Sequence, residues 1–169
     1  TILGYDASEN KSIKILLKKG IDVINKLSLE SIPDYMKKDD VIVVYTPAIP
    51  DDNIFLKYFR KNGNNQIYKR SEMLGEISRQ SKCIAVAGTH GKTTTSAIIS
   101  HLFHSSGIQF KAFIGGIMKC FDSNFINTGN DYIIVEADEY DRSFLNLNPN
   151  YAVITSIESD HLDIYGDLK

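Results

Sequence analysis

Hydrophobic positions along the chain fall into short runs divided by polar turns, and the runs alternate between strand-like and helix-like spacing. "TILGYD" predicts a short strand ending on an acid. "SENKSIKILLKKG" places Ile13, Leu16 and Leu17 at helical spacing, with Ser8 as the expected N-cap and Gly20 as the stop. "DVIVVYTPAIP" is almost continuously apolar up to Pro47 and Pro50. That pattern is expected of a strand buried on both faces of a parallel sheet. "DNIFLKYFRKNG" predicts a helix closing at Gly63, "NQIYKR" a short strand, and "RSEMLGEISRQSK" a polar-faced helix.

A second alternation begins after that helix, so a domain boundary is expected near residues 75–81, with domains 1–78 and 79–169. "CIAVAG" predicts a strand. "KTTTSAIISHLFHSSG" predicts a helix with Ile98, Ile99, Leu102 and Phe103 on its buried side. "FKAFIGG" predicts another strand. "DYIIVEADE" and "YAVITSIESDH" read as apolar strands running into acidic loops. Alternation of this kind specifies an α/β fold with mostly parallel sheets.

Composition narrows the picture. Hydrophobic residues make up 43% of the 169 residues, enough for a sizeable core and too many for a disordered chain. A formal net charge of −2 gives no general attraction to nucleic acid or to an anionic membrane. A small anionic ligand must therefore be held by local groups. Cys83 and Cys120 make no disulfide framework and have no metal-ligand spacing, which fits a reducing, cytoplasmic setting. No apolar run approaches membrane-spanning length, and no signal-peptide pattern opens the sequence.

The chemistry concentrates where "CIAVAG" hands over to the following helix. Gly88 and Gly91 let the backbone turn tightly and bring its N–H groups close to phosphate oxygens. The helix N-terminus adds partial positive charge. Lys92 can neutralise phosphates, and the Thr93 hydroxyl can join the shell of a magnesium ion. The phosphate-binding run is thus Gly88, Thr89, His90, Gly91, Lys92, Thr93 and Thr94, with His90 either touching ligand or filling the turn. Val86 stands where the standard phosphate-loop pattern has its first glycine, so the loop is a variant.

Two strand ends carry carboxylates. Glu136 leaves the apolar run Ile133–Val135 at the end where ligands gather in parallel α/β sheets, a place from which it can hold a nucleotide-bound metal. Asp138, Glu139 and Asp141 read as a solvated acidic loop. Downstream, His161 lies between Asp160 and Asp163 just beyond another strand, in position for metal ligation or substrate contact.

Together, "AGTHGKTTT", "EADEYDRSFL" and "ITSIESDHLDIYG", in this order, resemble the Mur ligases, ATP-dependent amide-bond formers of peptidoglycan synthesis. "VVYTPAIP" and "RSEMLGEI" point to the L-alanine-adding branch. The resemblance implies an incomplete Rossmann-like domain for the UDP-sugar, followed by part of a P-loop ATPase domain. It implies ligation of L-alanine to the lactyl carboxylate of UDP-N-acetylmuramate through an acyl phosphate, with ATP and magnesium. By the same resemblance Lys92, Glu136 and His161 are the catalytic set, with Thr93, Glu136 and His161 as metal ligands. Thr46, Ala48 and Ile49 would lie beside the UDP-sugar, with Asp6 near the nucleoside. Arg70 and Glu72 receive no role. The family plan further implies that this sequence is an internal fragment, inactive alone, without the N-terminal glycine-rich turn and the C-terminal domain. Two alternatives stay open: a ligase that attaches a murein tripeptide to the same sugar, and a nucleotide or UDP-sugar binding module without turnover.

Overall fold

The computed structural model describes residues 1–38, 40–62, 65–137 and 140–158. They form two compact units, Thr1–Lys69 and Arg70–Lys169. The helix at "RSEMLGEIS", placed before the boundary by the sequence pattern, belongs to the second unit.

The first unit contains two parallel strand pairs, each joined through a helix. β1 (Leu3–Tyr5) pairs with β2 (Asp22–Ile24) across α1 (Lys11–Lys18), and β3 (Ile42–Tyr45) pairs with β4 (Gln66–Lys69) across α2 (Ile54–Lys61). Parallel neighbours cannot be joined by a tight hairpin, so the helical crossovers are obligatory. The α1 cap is Asn10, whose side chain accepts from the Ile13 N–H, and not Ser8. Ser8 is already engaged one turn earlier by Asp6, which fixes where the helix starts. Gly20 ends α1 at φ 75, as expected. Asn53 caps α2 by accepting from the Phe55 and Leu56 N–H groups. The expected stop at Gly63 lies outside the described residues.

Burial of β3 on both faces is not observed. Ile42 and Val44 are 58% and 48% exposed, because the pair β3–β4 presents one face to solvent. The core of this unit is instead Ile32, Phe55 and Leu56, with the Tyr5 ring set edge-on to Phe55 at 4.9 Å.

The second unit opens with α3 (Arg70–Ser78) and carries a five-stranded sheet in the order β7-β6-β8-β5-β9. Its strands are β5 (Lys82–Ala87), β6 (Phe110–Met118), β7 (Ser123–Asn127), β8 (Tyr132–Glu136) and β9 (Tyr151–Ile154). All neighbours are parallel except the β6–β7 pair. β5 and β8 are interior strands covered on both faces, which is why they read as unbroken apolar runs.

Alternation along the strands divides the core in two. Ile84, Phe110, Ala112, Ile114 and Ile134 form one layer, against which Ile99 and Phe103 of α4 (Lys92–Ser105) pack. Cys83, Ala85, Ile133 and Val135 form the other, against Leu74 and Ile77 of α3. Each fully buried aliphatic side chain stabilises the fold by roughly 1.5–3 kcal/mol.

Only half of the expected α4 face is buried. Ile98 and Leu102 are 54% and 56% exposed. The fully buried positions are Ser96 and Ser100, whose small side chains let the helix lie close to the sheet. Four apolar residues at two adjacent pairs of positions span too wide an arc for all to face inward.

Candidate functional site

The site is built at the carboxyl end of β5. The strand ends at Ala87, and the chain turns through Gly88 at φ 123 and Gly91 at φ 82, a region that favours glycine. α4 starts directly after Gly91 without a side-chain cap, so its positive end lies at the turn. Lys92 folds back over the loop, its Nζ donating to the Gly88 carbonyl at 2.6 Å and the Thr89 carbonyl at 3.4 Å.

β8 supplies the acid. Glu136 pairs in register with Val86, which sets the carboxylate beside the start of the loop. The Thr93 hydroxyl donates to Glu136 Oε2 at 3.0 Å. On the other side, the Gly115 N–H of β6 donates to Glu136 Oε1 at 2.9 Å. A Cβ at Gly115 would lie 3.0 Å from Glu136 Oε2, and one at Gly116 would lie 3.1 Å from Thr93 Cγ2. The glycine pair therefore makes room for both side chains. The pattern of "FKAFIGG" predicts only a strand, and its adjacent glycines at the end of an apolar run are the signal of a close approach.

The opposite wall comes from residues 155–158, which continue β9. The Thr155 N–H and hydroxyl both donate to the Ala87 carbonyl, at 3.0 and 3.1 Å, and the hydroxyl also reaches the His90 carbonyl. The Thr89 N–H donates to the Ser156 carbonyl and the His90 N–H to Ser156 Oγ, each at 3.0 Å. The Glu158 N–H donates to Thr89 Oγ1 at 3.0 Å, and His90 Nε2 lies 3.5 Å from Glu158 Oε2. His90 is thus exposed and turned to this segment, while Thr94 lies exposed in the first turn of α4. None of residues 155–158 is among the candidates expected from the sequence, whereas their loop partners Thr89 and His90 are.

Thus Lys92, Thr93, Glu136 and the glycine turn are brought together. The expectations for Asp138, Glu139, Asp160, His161 and Asp163 lie outside the described residues, and Asp141 falls in the short helical turn Tyr140–Asn146. In the first unit, Asp6 lies just beyond β1. The Ser8 N–H and hydroxyl, both at 2.9 Å, hold its carboxyl below the usual range. Thr46, Ala48 and Ile49 form the turn after β3, closed by the Ile49 N–H on the Thr46 carbonyl at 3.0 Å; Thr46 and Ala48 are exposed and Ile49 half-buried.

The donor set suits a magnesium–nucleotide complex. A hydroxyl and one carboxylate, 3.0 Å apart, offer hard oxygen ligands and leave places for water and phosphate oxygens. Among the described residues no group of three or more His, Cys, Asp and Glu could enclose a metal by itself.

Fold and site together define the class: an α/β protein with a mostly parallel sheet, whose chemistry-bearing side chains gather at strand carboxyl ends. Residues 86–169 match the Mur ligase middle domain. The chain is 45% identical, over 98% of its length, to the UDP-N-acetylmuramate--L-alanine ligase of Cytophaga hutchinsonii, and 44% identical to that of Christiangramia forsetii. It spans 36% and 37% of those two proteins. Among solved structures it matches the UDP-N-acetylmuramate-alanine ligase MurC of Thermotoga maritima with a TM-score of 0.82 at 31% identity, covering 98% of this chain and 38% of that one. It also matches the UDP-N-acetylmuramate:L-alanyl-gamma-D-glutamyl-meso-diaminopimelate ligase of Neisseria meningitides with a TM-score of 0.80 at 25% identity, covering 98% and 56%. The chain belongs to the Mur ligase family.

Proposed function

We propose that the chain is part of an ATP-dependent ligase that joins L-alanine to the lactyl carboxylate of UDP-N-acetylmuramate in peptidoglycan precursor synthesis. The observation that carries this reading is the Thr93–Glu136 contact beside a glycine turn and Lys92. The names of the relatives supply the substrates.

A carboxylate is a poor acyl donor, and phosphoryl transfer gives it a good leaving group. Two anions must approach for that transfer. Lys92 would exchange the Gly88 and Thr89 carbonyls for phosphate oxygens and offset the repulsion. Thr93 and Glu136 would hold magnesium, which supplies charge neutralisation of the triphosphate when bound. Gly115 would keep the Glu136 carboxylate turned toward Thr93. In this reading the chain provides no covalent nucleophile. The first unit would belong to the UDP-sugar side, with Asp6, Thr46, Ala48 and Ile49 near that ligand, and the second unit to the ATP side. His161 would complete the metal set. In this reading the enzyme would work in the cytoplasm; among the described residues no helix is long and apolar enough to cross a membrane.

The test is alanine-dependent ADP release by the full-length protein that contains this chain. Lys92→Ala is expected to lower it by at least about 100-fold, the order seen when a charge-stabilising donor is removed; unchanged turnover would remove the loop from the mechanism. A second reading, ligation of a murein tripeptide, is favoured by the match to the diaminopimelate-tripeptide ligase. Supplying L-alanine and the tripeptide in parallel assays decides between them.

A further inference from the structure

We propose that residues 155–158 are a strap that sets the conformation of the phosphate loop, with Thr155 and Ser156 as positioning residues. The inference rests on reading residues 88–94 as a phosphate site, and adds to it a part of the chain that the resemblance did not assign.

Four observations carry it. Thr155 Oγ1 lies within hydrogen-bond reach of the carbonyls at both ends of the turn, Ala87 and His90, and shares its single proton between them. One hydroxyl therefore fixes the span between the last strand residue and the residue before Gly91. Ser156 takes the N–H groups of two successive loop residues, Thr89 on its carbonyl and His90 on its Oγ. Glu158 returns a main-chain N–H to Thr89 Oγ1. Finally, the fit is close: a Cβ on Gly88 would come within 2.3 Å of Thr155 Oγ1 and 2.8 Å of the Ser156 backbone.

The consequence is a division of labour among the loop amides. Thr89 and His90 hold the loop to the strap. The anion is then met at the start of α4, by the turn at Gly91 and by Lys92 and Thr93. The strap acts through the loop's shape and touches no phosphate, so its loss weakens nucleotide binding without removing a ligand-contacting group.

The test uses the full chain with Mg–ATP titration, amide hydrogen exchange and a thermal midpoint for each variant. Thr155→Val keeps shape and removes the hydroxyl; it is expected to weaken ATP binding about fivefold to tenfold, the order of one lost net hydrogen bond or slightly more. Thr155→Ser restores the hydroxyl and is expected to bind as the wild type. Ser156→Ala is expected to speed exchange at the His90 amide and leave the Thr89 amide slow, since the latter uses the Ser156 main-chain carbonyl. Thermal midpoints should move little, because Thr155 is exposed. Equal ATP affinity in all variants overturns the strap while leaving the phosphate site standing. Tighter binding by Thr155→Val or Ser156→Ala overturns it too, because the segment would then compete with phosphate. Failure of Thr155→Ser to rescue, or an unchanged His90 amide, does the same. A wild-type chain that ignores Mg–ATP overturns the phosphate reading itself.

Discussion

The Thr93 hydroxyl donates to Glu136 Oε2 at 3.0 Å, joining the first turn of a helix to the end of a strand 43 residues away. This places two oxygen donors of different charge on one spot at the sheet's carboxyl end. The carboxylate is held from behind by the Gly115 N–H, so it is oriented before any ligand arrives. Preorganised donors of this kind avoid a reorganisation cost at the moment of binding.

Glu136→Gln tests that arrangement. The amide oxygen can still accept from the Gly115 N–H while its NH2 donates to Thr93 Oγ1, so the fold should hold and the thermal midpoint should stay within a few degrees. Magnesium-dependent ATP affinity is expected to fall at least about tenfold, in line with losses at metal-holding groups. Titration with and without magnesium reads it; a variant with wild-type magnesium dependence would place the ion elsewhere.

Gly88 and Gly107 offer a matched pair of substitutions. Both have positive φ, but a Cβ at Gly107 meets nothing within 4 Å, whereas one at Gly88 strikes Thr155 and Ser156. Gly107→Ala should cost about 1–2 kcal/mol, the backbone penalty alone. Gly88→Ala should cost more by several kcal/mol or prevent folding, since the strand-end wall must shift. Denaturant titration compares them; equal costs would mean that the close approach at Gly88 is soft.

The two cysteines should differ in reactivity. Cys83 is fully buried, and burial pushes its thiol up to about 11 from about 9, despite the opposing effect of Ser78. Cys120 is exposed. A thiol reagent at pH 8 should therefore modify one group per native chain, and Cys120→Ser should abolish the fast reaction. Since the folded chain holds the Cys83 proton more tightly, this group's contribution is complete below about pH 9. It is lost as pH rises toward about 11. Cys83→Ala should flatten that part of the stability–pH curve. A slope as steep as the wild type's would point to another group.

Ser96 carries a buried hydroxyl with no hydrogen-bond partner among the described residues. Such a group costs about 1–3 kcal/mol when desolvated, and alanine is the better helix former. Ser96→Ala should raise stability by about 1 kcal/mol in denaturant titration; a loss would reveal a partner for the hydroxyl.

Much of this site could be read from local pattern. Gly88, Gly91, Lys92 and Thr93 are contiguous, and Glu136 follows directly from a buried run, so strand-end logic finds it. What escaped is what the chain brings from afar or what needs knowledge of neighbours. Gly115 enters through a main-chain N–H, which no side-chain pattern reveals. Thr155 and Ser156 look like ordinary polar residues after a strand. The misplaced cap at Ser8 involved two equally capable residues, separated only by the Asp6 turn. The exposed faces of Ile42 and of Ile98 with Leu102 depend on what covers an element, and hydrophobic spacing records only that something can.

The register of β5 between β8 and β9 has a kinetic corollary. Val86 pairs with Glu136, and Ala87 with Ile154, so the loop's neighbours are made long after the loop itself. His90 and Ser156 are 66 positions apart. Contacts of such sequence separation form slowly, because chain closure must precede them. A nascent polypeptide would therefore expose a finished lysine–threonine turn well before it owned a competent pocket. The loop would take its final shape only when β9 zips onto β5.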